Sequence, residues 1–127
     1  MVTEALPRPL ILVVDDYDDA REMYAECLGA SGFAVAQAEN GDEAVAKALA
    51  LLPALIVMDL ALPGMDGWTA TRAIKTDART AMIPVVALTG HARSDASTAA
   101  RDAGCDAFLT KPCLPDQIVE VVRRLLA

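Results

Sequence analysis

Three aspartates, one threonine and one lysine stand at the ends of four short apolar runs in this 127-residue chain. Leu10 to Val14 stops at Asp15 and Asp16, Ala54 to Met58 at Asp59, and Pro84 to Leu88 at Thr89, while Ala107 to Leu109 ends just before Lys111. Brought to one place, such a set suits phosphoryl transfer, which needs an aligned nucleophile, a divalent cation and fixed positive groups around the equatorial oxygens. Asp59, alone at the end of the central run, is the natural nucleophile, and a carboxylate attacking phosphorus gives an acyl phosphate. Asp15 and Asp16 would hold the metal. Mg2+ prefers octahedral oxygen ligation and keeps several waters, so a few carboxylates plus the phosphate suffice. Without the metal, clustered carboxylates repel one another and at least one pKa should rise. Lys111 offers a flexible cation and Thr89 a hydroxyl donor on the opposite side.

The runs themselves say how these residues could meet. Apolar stretches of this length between turn signals read as strands buried on both faces, as in a parallel sheet, and open parallel sheets bind ligands outside their strand C-termini. Phe33 to Ala38 is the remaining strand. Between the strands lie helix-length segments. Asp19 with Glu22 forms a capping-box pattern ahead of Met23, Tyr24, Cys27 and Leu28, and Gly32 supplies a stop. Asn40 with Glu43 repeats the pattern before Ala44, Val45, Ala48 and Leu49, and Pro53 closes that segment. A third helix is expected from about Gly67 to Thr76, with Asp66 as its cap. A fourth should run from Ser94 or Asp95 to Gly104, and a fifth from near Pro115 with Ile118, Val119, Val122, Leu125 and Leu126 on one face. Strand and helix thus alternate five times, which predicts an α/β fold with right-handed crossovers and helices on both faces of the sheet.

Composition excludes several classes. The length suits one domain, with residues 1–8 as an N-terminal tail and 9–127 as the domain, and an apolar content of 54% is enough for a real core. Ala48 to Met58, the longest apolar stretch, is broken by Pro53 and falls well short of the ~20 residues that span a bilayer. Met1 to Pro9 lacks the apolar core of a signal peptide, so a soluble cytoplasmic protein is expected. A net charge of −7 with no Lys/Arg cluster disfavours nucleic acid and anionic membrane and suits a cation or a basic partner. Cys27, Cys105 and Cys113 lack any C-x-x-C pairing and read as small buried apolar residues.

Val13-Val14-Asp15-Asp16, Met58-Asp59, Pro63-Gly64-Met65-Asp66-Gly67, Leu88-Thr89-Gly90 and Thr110-Lys111-Pro112 resemble, in order and spacing, the receiver domains of two-component response regulators. The likeness covers roughly residues 9 to 126. It implies a flavodoxin-like, doubly wound, five-stranded parallel sheet in the order 2-1-3-4-5 with five helices; a receiver protein is itself a standard example of that order. It implies that Asp59 is the phosphoacceptor, that Asp16 and Asp59 ligate Mg2+ (or Mn2+) directly and Asp15 through water, and that the backbone carbonyl of Ala61 completes the set. It also implies a cis peptide at Lys111-Pro112 that aims the ammonium inward. Thr89 and Phe108 would form the switch: a new phosphate draws the loop carrying Thr89, and Phe108 swings into the vacated space. That movement reshapes the surface of the fourth helix, fifth strand and fifth helix. Ala61 and His91, two residues past acceptor and threonine, would help set phosphoryl lifetime.

By the same resemblance the donor is a sensor histidine kinase or a histidine phosphotransfer domain, the listener is an effector protein or domain, and the switching surface admits a homodimer. The protein would not be an enzyme, although it takes part chemically in its own phosphorylation and dephosphorylation. Whether it acts alone or within a hybrid kinase or longer regulator is left open. Trp68, early in the third helix and near Asp59 in sequence, could report ligands by fluorescence or simply pack in the core. After Pro112, Cys113 and Leu114 stand where receivers often carry an aromatic and a polar cap; leucine is a poor N-cap.

Other readings fare worse. Asp15 and Asp16 alone could merely cap a helix, and Phe108 could be plain core. A phosphohydrolase of the haloacid dehalogenase type needs a second acid two residues past the nucleophile, where Ala61 stands. A dinucleotide site needs a glycine-rich turn after the first strand, and Asp15-Asp16-Tyr17 has none. The main alternative is an interaction module that keeps the fold and signals without phosphate.

Overall fold

The structure, a computed structural model, describes residues 8–62, 64–89, 104–111 and 113–127. Its elements in chain order are β1 (Leu10–Val14), α1 (Asp18–Ala30), β2 (Ala34–Ala38), α2 (Gly41–Leu51), β3 (Leu55–Asp59), α3 (Gly67–Thr76), β4 (Val85–Thr89), β5 (Ala107–Thr110) and α4 (Pro115–Leu126). The strands form one sheet in the order β2-β1-β3-β4-β5, every neighbouring pair parallel, as the resemblance implied. Four helices are described rather than five. The expected helix from Ser94 or Asp95, together with Pro63, His91, Pro112 and most of the expected N-terminal tail, lies outside the described residues, and the helix begun at Pro115 is α4 here.

The continuous apolar runs of β1, β3 and β4 are explained by cover on both sides. Ile11, Val13, Leu55, Val57, Val86 and Leu88 pack with Tyr24 and Leu28 of α1 and Ile118 and Val122 of α4. Their sequence neighbours Leu12, Val14, Ile56, Met58 and Val85 point the other way, against Ala44 and Ala48 of α2 and Ala70 and Ile74 of α3. The period of two along each strand thus serves two separate cores. β5 departs from the expected two-sided burial: Ala107, Phe108 and Leu109 are only half-buried, because β5 is an edge strand.

The helix starts follow local hydrogen bonding. Asn40 caps α2 by accepting from the Glu43 amide at 2.8 Å, and Asp66 caps α3 by accepting from the Thr69 amide at 2.7 Å, both as expected. α1 differs. It starts at Asp18 with Tyr17 as N-cap and no side-chain cap, so the predicted Asp19/Glu22 box does not form. The reason lies one residue earlier, where Asp15 Oδ1 takes the Tyr17 amide at 2.9 Å and folds the turn before Asp19 could act. Gly32 ends that helix region with a φ of 100°, as its stop role requires. α4 opens on Pro115 behind Leu114, whose side chain makes no cap; Gln117 Oε1 instead takes the Leu114 amide at 2.9 Å. Cys113 is buried as expected, whereas Cys27 and Cys105 are half-buried and none is paired.

Candidate functional site

Parallel pairing puts the strand C-termini on one edge of the sheet. Asp15 lies just past β1, Asp59 ends β3 opposite Leu88, Thr89 ends β4 opposite Thr110, and Lys111 follows β5. The Lys111 amide donates to the Thr89 carbonyl at 2.7 Å, which extends the β4–β5 ladder and fixes where the lysine leaves the sheet. All five residues singled out by spacing therefore lie along one edge of the sheet. The carboxylate oxygens of Asp15, Asp16 and Asp59 lie within 4.8 Å of one another, with Asp15 and Asp59 buried and Asp16 exposed. Among the described residues no other group of three such ligands occurs.

Lys111 holds the cluster together. Its Nζ donates to Asp15 Oδ2 at 2.8 Å and lies 3.3 Å from Asp59 Oδ2. Burial by itself would lower its pKa, but the Asp15 hydrogen bond and the charges of Asp59 and Asp15 outweigh that and hold the ammonium above the ordinary lysine value. Asp59 moves the expected way for a crowded acid. Burial pushes its carboxyl up to about 6 and the charge of Asp15 adds to the rise, against the Ala61 amide at 3.1 Å and Lys111, which pull it down. Asp59 Oδ1 thus accepts from the Ala61 N–H, so the contact with Asp59 is made by the Ala61 amide and not by the carbonyl expected to ligate metal.

The donor set fits a hard divalent cation: three carboxylates, all oxygen, close enough to share one ion, and one of them exposed to solvent for exchange. Asp15, Asp16 and Asp59 would hold it.

Thr89 is buried at its strand end, and Phe108 pairs in register with Ala87. Phe108, Trp68 and Cys105 pack against Leu60 and Ala87 in a small third core beside β3. Trp68 therefore packs in this core, with its Nε1 buried and without a hydrogen-bond partner among the described residues. The roles of two residues escape sequence reasoning. Gly67 passes so near Asp59 that a Cβ there would sit 2.3 Å from the Asp59 carbonyl oxygen. Arg21, five residues past Asp16, turns its guanidinium back onto the Asp15 carbonyl at 2.9 Å. The only signal for Arg21 in the sequence is a lone basic residue three positions after Asp18 on a helix otherwise acidic at its start.

Comparison with known proteins gives a consistent result. The family model described as "Response regulator receiver domain" matches residues 11–123. Response regulator Rre1 of Synechocystis is 39% identical over 92% of this chain and 51% of its own length. The polar-differentiation response regulator DivK of Brucella anthropi is 30% identical over 91% of this chain and 94% of its own. The receiver domain of a Pseudomonas aeruginosa sensor histidine kinase, solved with a magnesium ion coordinated in its active site cleft, superposes with a TM-score of 0.87 at 28% identity, covering 94% of this chain and 98% of that one. The chain spans about half the length of the first curated relatives it matches.

Proposed function

Because the chain belongs to the response regulator receiver domain family of two-component signal transduction, we propose that it accepts a phosphoryl group from a phosphohistidine onto Asp59. The observation that carries this reading is the convergence of the Asp15, Asp16 and Asp59 carboxylates around one point, with Lys111 on two of them.

In the transfer, a carboxylate oxygen of Asp59 bonds to phosphorus as the bond from phosphorus to the donor imidazole nitrogen breaks. Asp59 must be ionised to attack, and a carboxyl pKa of about 6 leaves it so at neutral pH. The Ala61 amide and Lys111 orient that carboxylate from two sides. Lys111 has a flexible stem and lies between Asp15 and Asp59, so it can swing onto the incoming phosphoryl oxygens. Thr89, at the adjacent strand end, supplies a hydroxyl to the same group. Mg2+, when bound by Asp15, Asp16 and Asp59 with the Ala61 carbonyl, supplies charge neutralisation for carboxylates and phosphoryl oxygens alike; Mn2+ would serve the same way.

The phosphate then acts as the signal. It adds about −1.5 to −2 charge and three acceptors at a buried edge, which draws Thr89 inward. Phe108, half-buried two strand positions before Thr110, follows and alters the face around β5 and α4. A sensor histidine kinase or histidine phosphotransfer domain is the donor, and an effector protein or domain reads the altered face. The chain takes part in its own phosphorylation and dephosphorylation without being an enzyme.

Radiolabelled phosphoryl transfer from a phosphorylated histidine donor tests the acceptor. Label should reach the wild type and not Asp59→Asn; equal labelling of the variant would reject Asp59. For the switch, beryllofluoride with Mg2+ should shift the NMR signals of Phe108, and no shift there would remove Phe108 from it.

A further inference from the structure

Arg21 is, among the described residues, the only lysine or arginine that is buried, 6% exposed. A guanidinium is costly to bury unless its donors find partners, and here each of its three nitrogens donates. Nε donates to Gln37 Oε1 of β2 at 3.0 Å, Nη1 to the Asp15 carbonyl at 2.9 Å, and Nη2 to Asp18 Oδ1 at 2.7 Å with Glu39 Oε1 at 3.5 Å. One side chain therefore ties the end of β1, the start of α1 and the end of β2.

The tie falls at a sensitive point. Asp15 has its side chain pinned by the Tyr17 amide and Lys111, and Asp59 by the Ala61 amide and Lys111. Asp16 is different: it is exposed, and no hydrogen bond to its carboxylate occurs among the described residues. Its aim depends on its backbone. The carbonyl that Arg21 holds belongs to the Asp15–Asp16 peptide, a rigid plane that fixes the Asp16 N–Cα bond from which its side chain is carried.

We propose that Arg21 is a positioning residue for the divalent cation, holding the Asp15–Asp16 peptide so that the otherwise unsupported Asp16 carboxylate points at the shared site. The inference rests on the metal reading above. It makes a prediction of opposite sign to simple electrostatics: removing a positive charge so close to a cation site should by itself tighten binding, whereas losing the clamp should weaken it. Lysine should not replace arginine, because a single ammonium cannot reach the Asp15 carbonyl, Gln37 and Asp18 from one fixed plane.

Mg2+ titration followed by amide NMR reports both affinity and foldedness. Hydrogen-bond partners outside the ligand set are typically worth ~10–100-fold in metal affinity, so Arg21→Gln and Arg21→Lys should each bind Mg2+ about tenfold more weakly. In an Asp16→Asn background the same changes should have an effect under about twofold, since two residues acting through one ligand are not additive. Unchanged or tighter binding by folded Arg21→Gln overturns the proposal, as does an undiminished loss in the Asp16→Asn background. If Arg21→Gln does not fold, Gln37→Ala, which removes only the acceptor of Nε, carries the test: weaker binding supports the clamp and unaltered binding overturns it. A wild type that binds no Mg2+ would overturn the metal reading and the inference with it, whereas binding by wild type and variants alike overturns the inference alone.

Discussion

The ammonium of Lys111 donates to the fully buried carboxylate of Asp15 at 2.8 Å, joining residues 96 positions apart. A cation already supplied by the chain therefore sits among the carboxylates that would receive a metal, and the two compete. Replacing Lys111 with methionine leaves the buried Asp15 charge with the Tyr17 amide but no cation beside it. The metal-free protein should lose roughly 2–3 kcal/mol, at the low end for a broken buried pair because Lys111 is partly exposed. The rise in melting temperature on adding Mg2+ should then be larger in Lys111→Met than in the wild type. Parallel thermal melts with chelator and with Mg2+ measure both effects.

Asp59 makes the metal-free protein pH-dependent. Its carboxyl is raised from 3.8 to about 6. Between those values the unfolded chain has lost this proton while the folded chain keeps it, so the folded state binds more protons and stability falls as pH rises through the window. Above it the penalty is complete. In chelator at pH 8, Asp59→Asn should be more stable than the wild type by on the order of 2 kcal/mol, and the gap should close as the pH is lowered to about 4. Urea titrations across that range check it.

Gly67 and Gly29 should respond to alanine in opposite ways. Both are helical, where alanine is ordinarily worth up to ~1 kcal/mol over glycine. A Cβ at Gly29 meets nothing within 4 Å, so Gly29→Ala should stabilise. At Gly67 it would lie 2.3 Å from the Asp59 carbonyl oxygen and 2.6 Å from Leu60 Cα, backbone atoms that must move. Gly67→Ala should cost about 1–3 kcal/mol and, because the acceptor strand shifts, also weaken Mg2+ binding. Denaturation midpoints and a metal titration on the same samples give the result.

Leu114 marks a correctable weakness at the start of α4. It is 68% exposed, and its side chain offers nothing to the free amides of the first turn. Leu114→Ser places an acceptor opposite the Gln117 amide while Gln117 keeps its own bond to residue 114. A gain of about 1 kcal/mol is expected, read as a melting temperature higher by ~4 °C.

Legibility followed burial. β1, β3 and β4 stood out because cover on both faces demands unbroken apolar runs, and the polar residue that ended each run lies at the candidate site: Asp15, Asp59 and Thr89. β5 was read as buried on both faces like the other runs, since three apolar residues in a row do not reveal that an edge strand is only half-buried. The Asn40 and Asp66 caps were visible because they act on amides three residues on. The start of α1 was misread because its turn is closed by Asp15, a site residue with a second, structural bond. Arg21 and Gly67 were hidden for a different reason: their meaning lies in a carbonyl oxygen reached through the fold, and backbone carbonyls leave no mark in sequence.

The central claim is that Asp59 is a phosphoacceptor, and intact-mass spectrometry after incubation with acetyl phosphate and Mg2+ tests it most directly. The account predicts a mass gain of one phosphoryl group that hydroxylamine removes, that chelator prevents, and that is absent in Asp59→Asn. No gain in the folded wild type with Mg2+ present, or the same gain in Asp59→Asn, would contradict it and favour a receiver-like module that signals without phosphate.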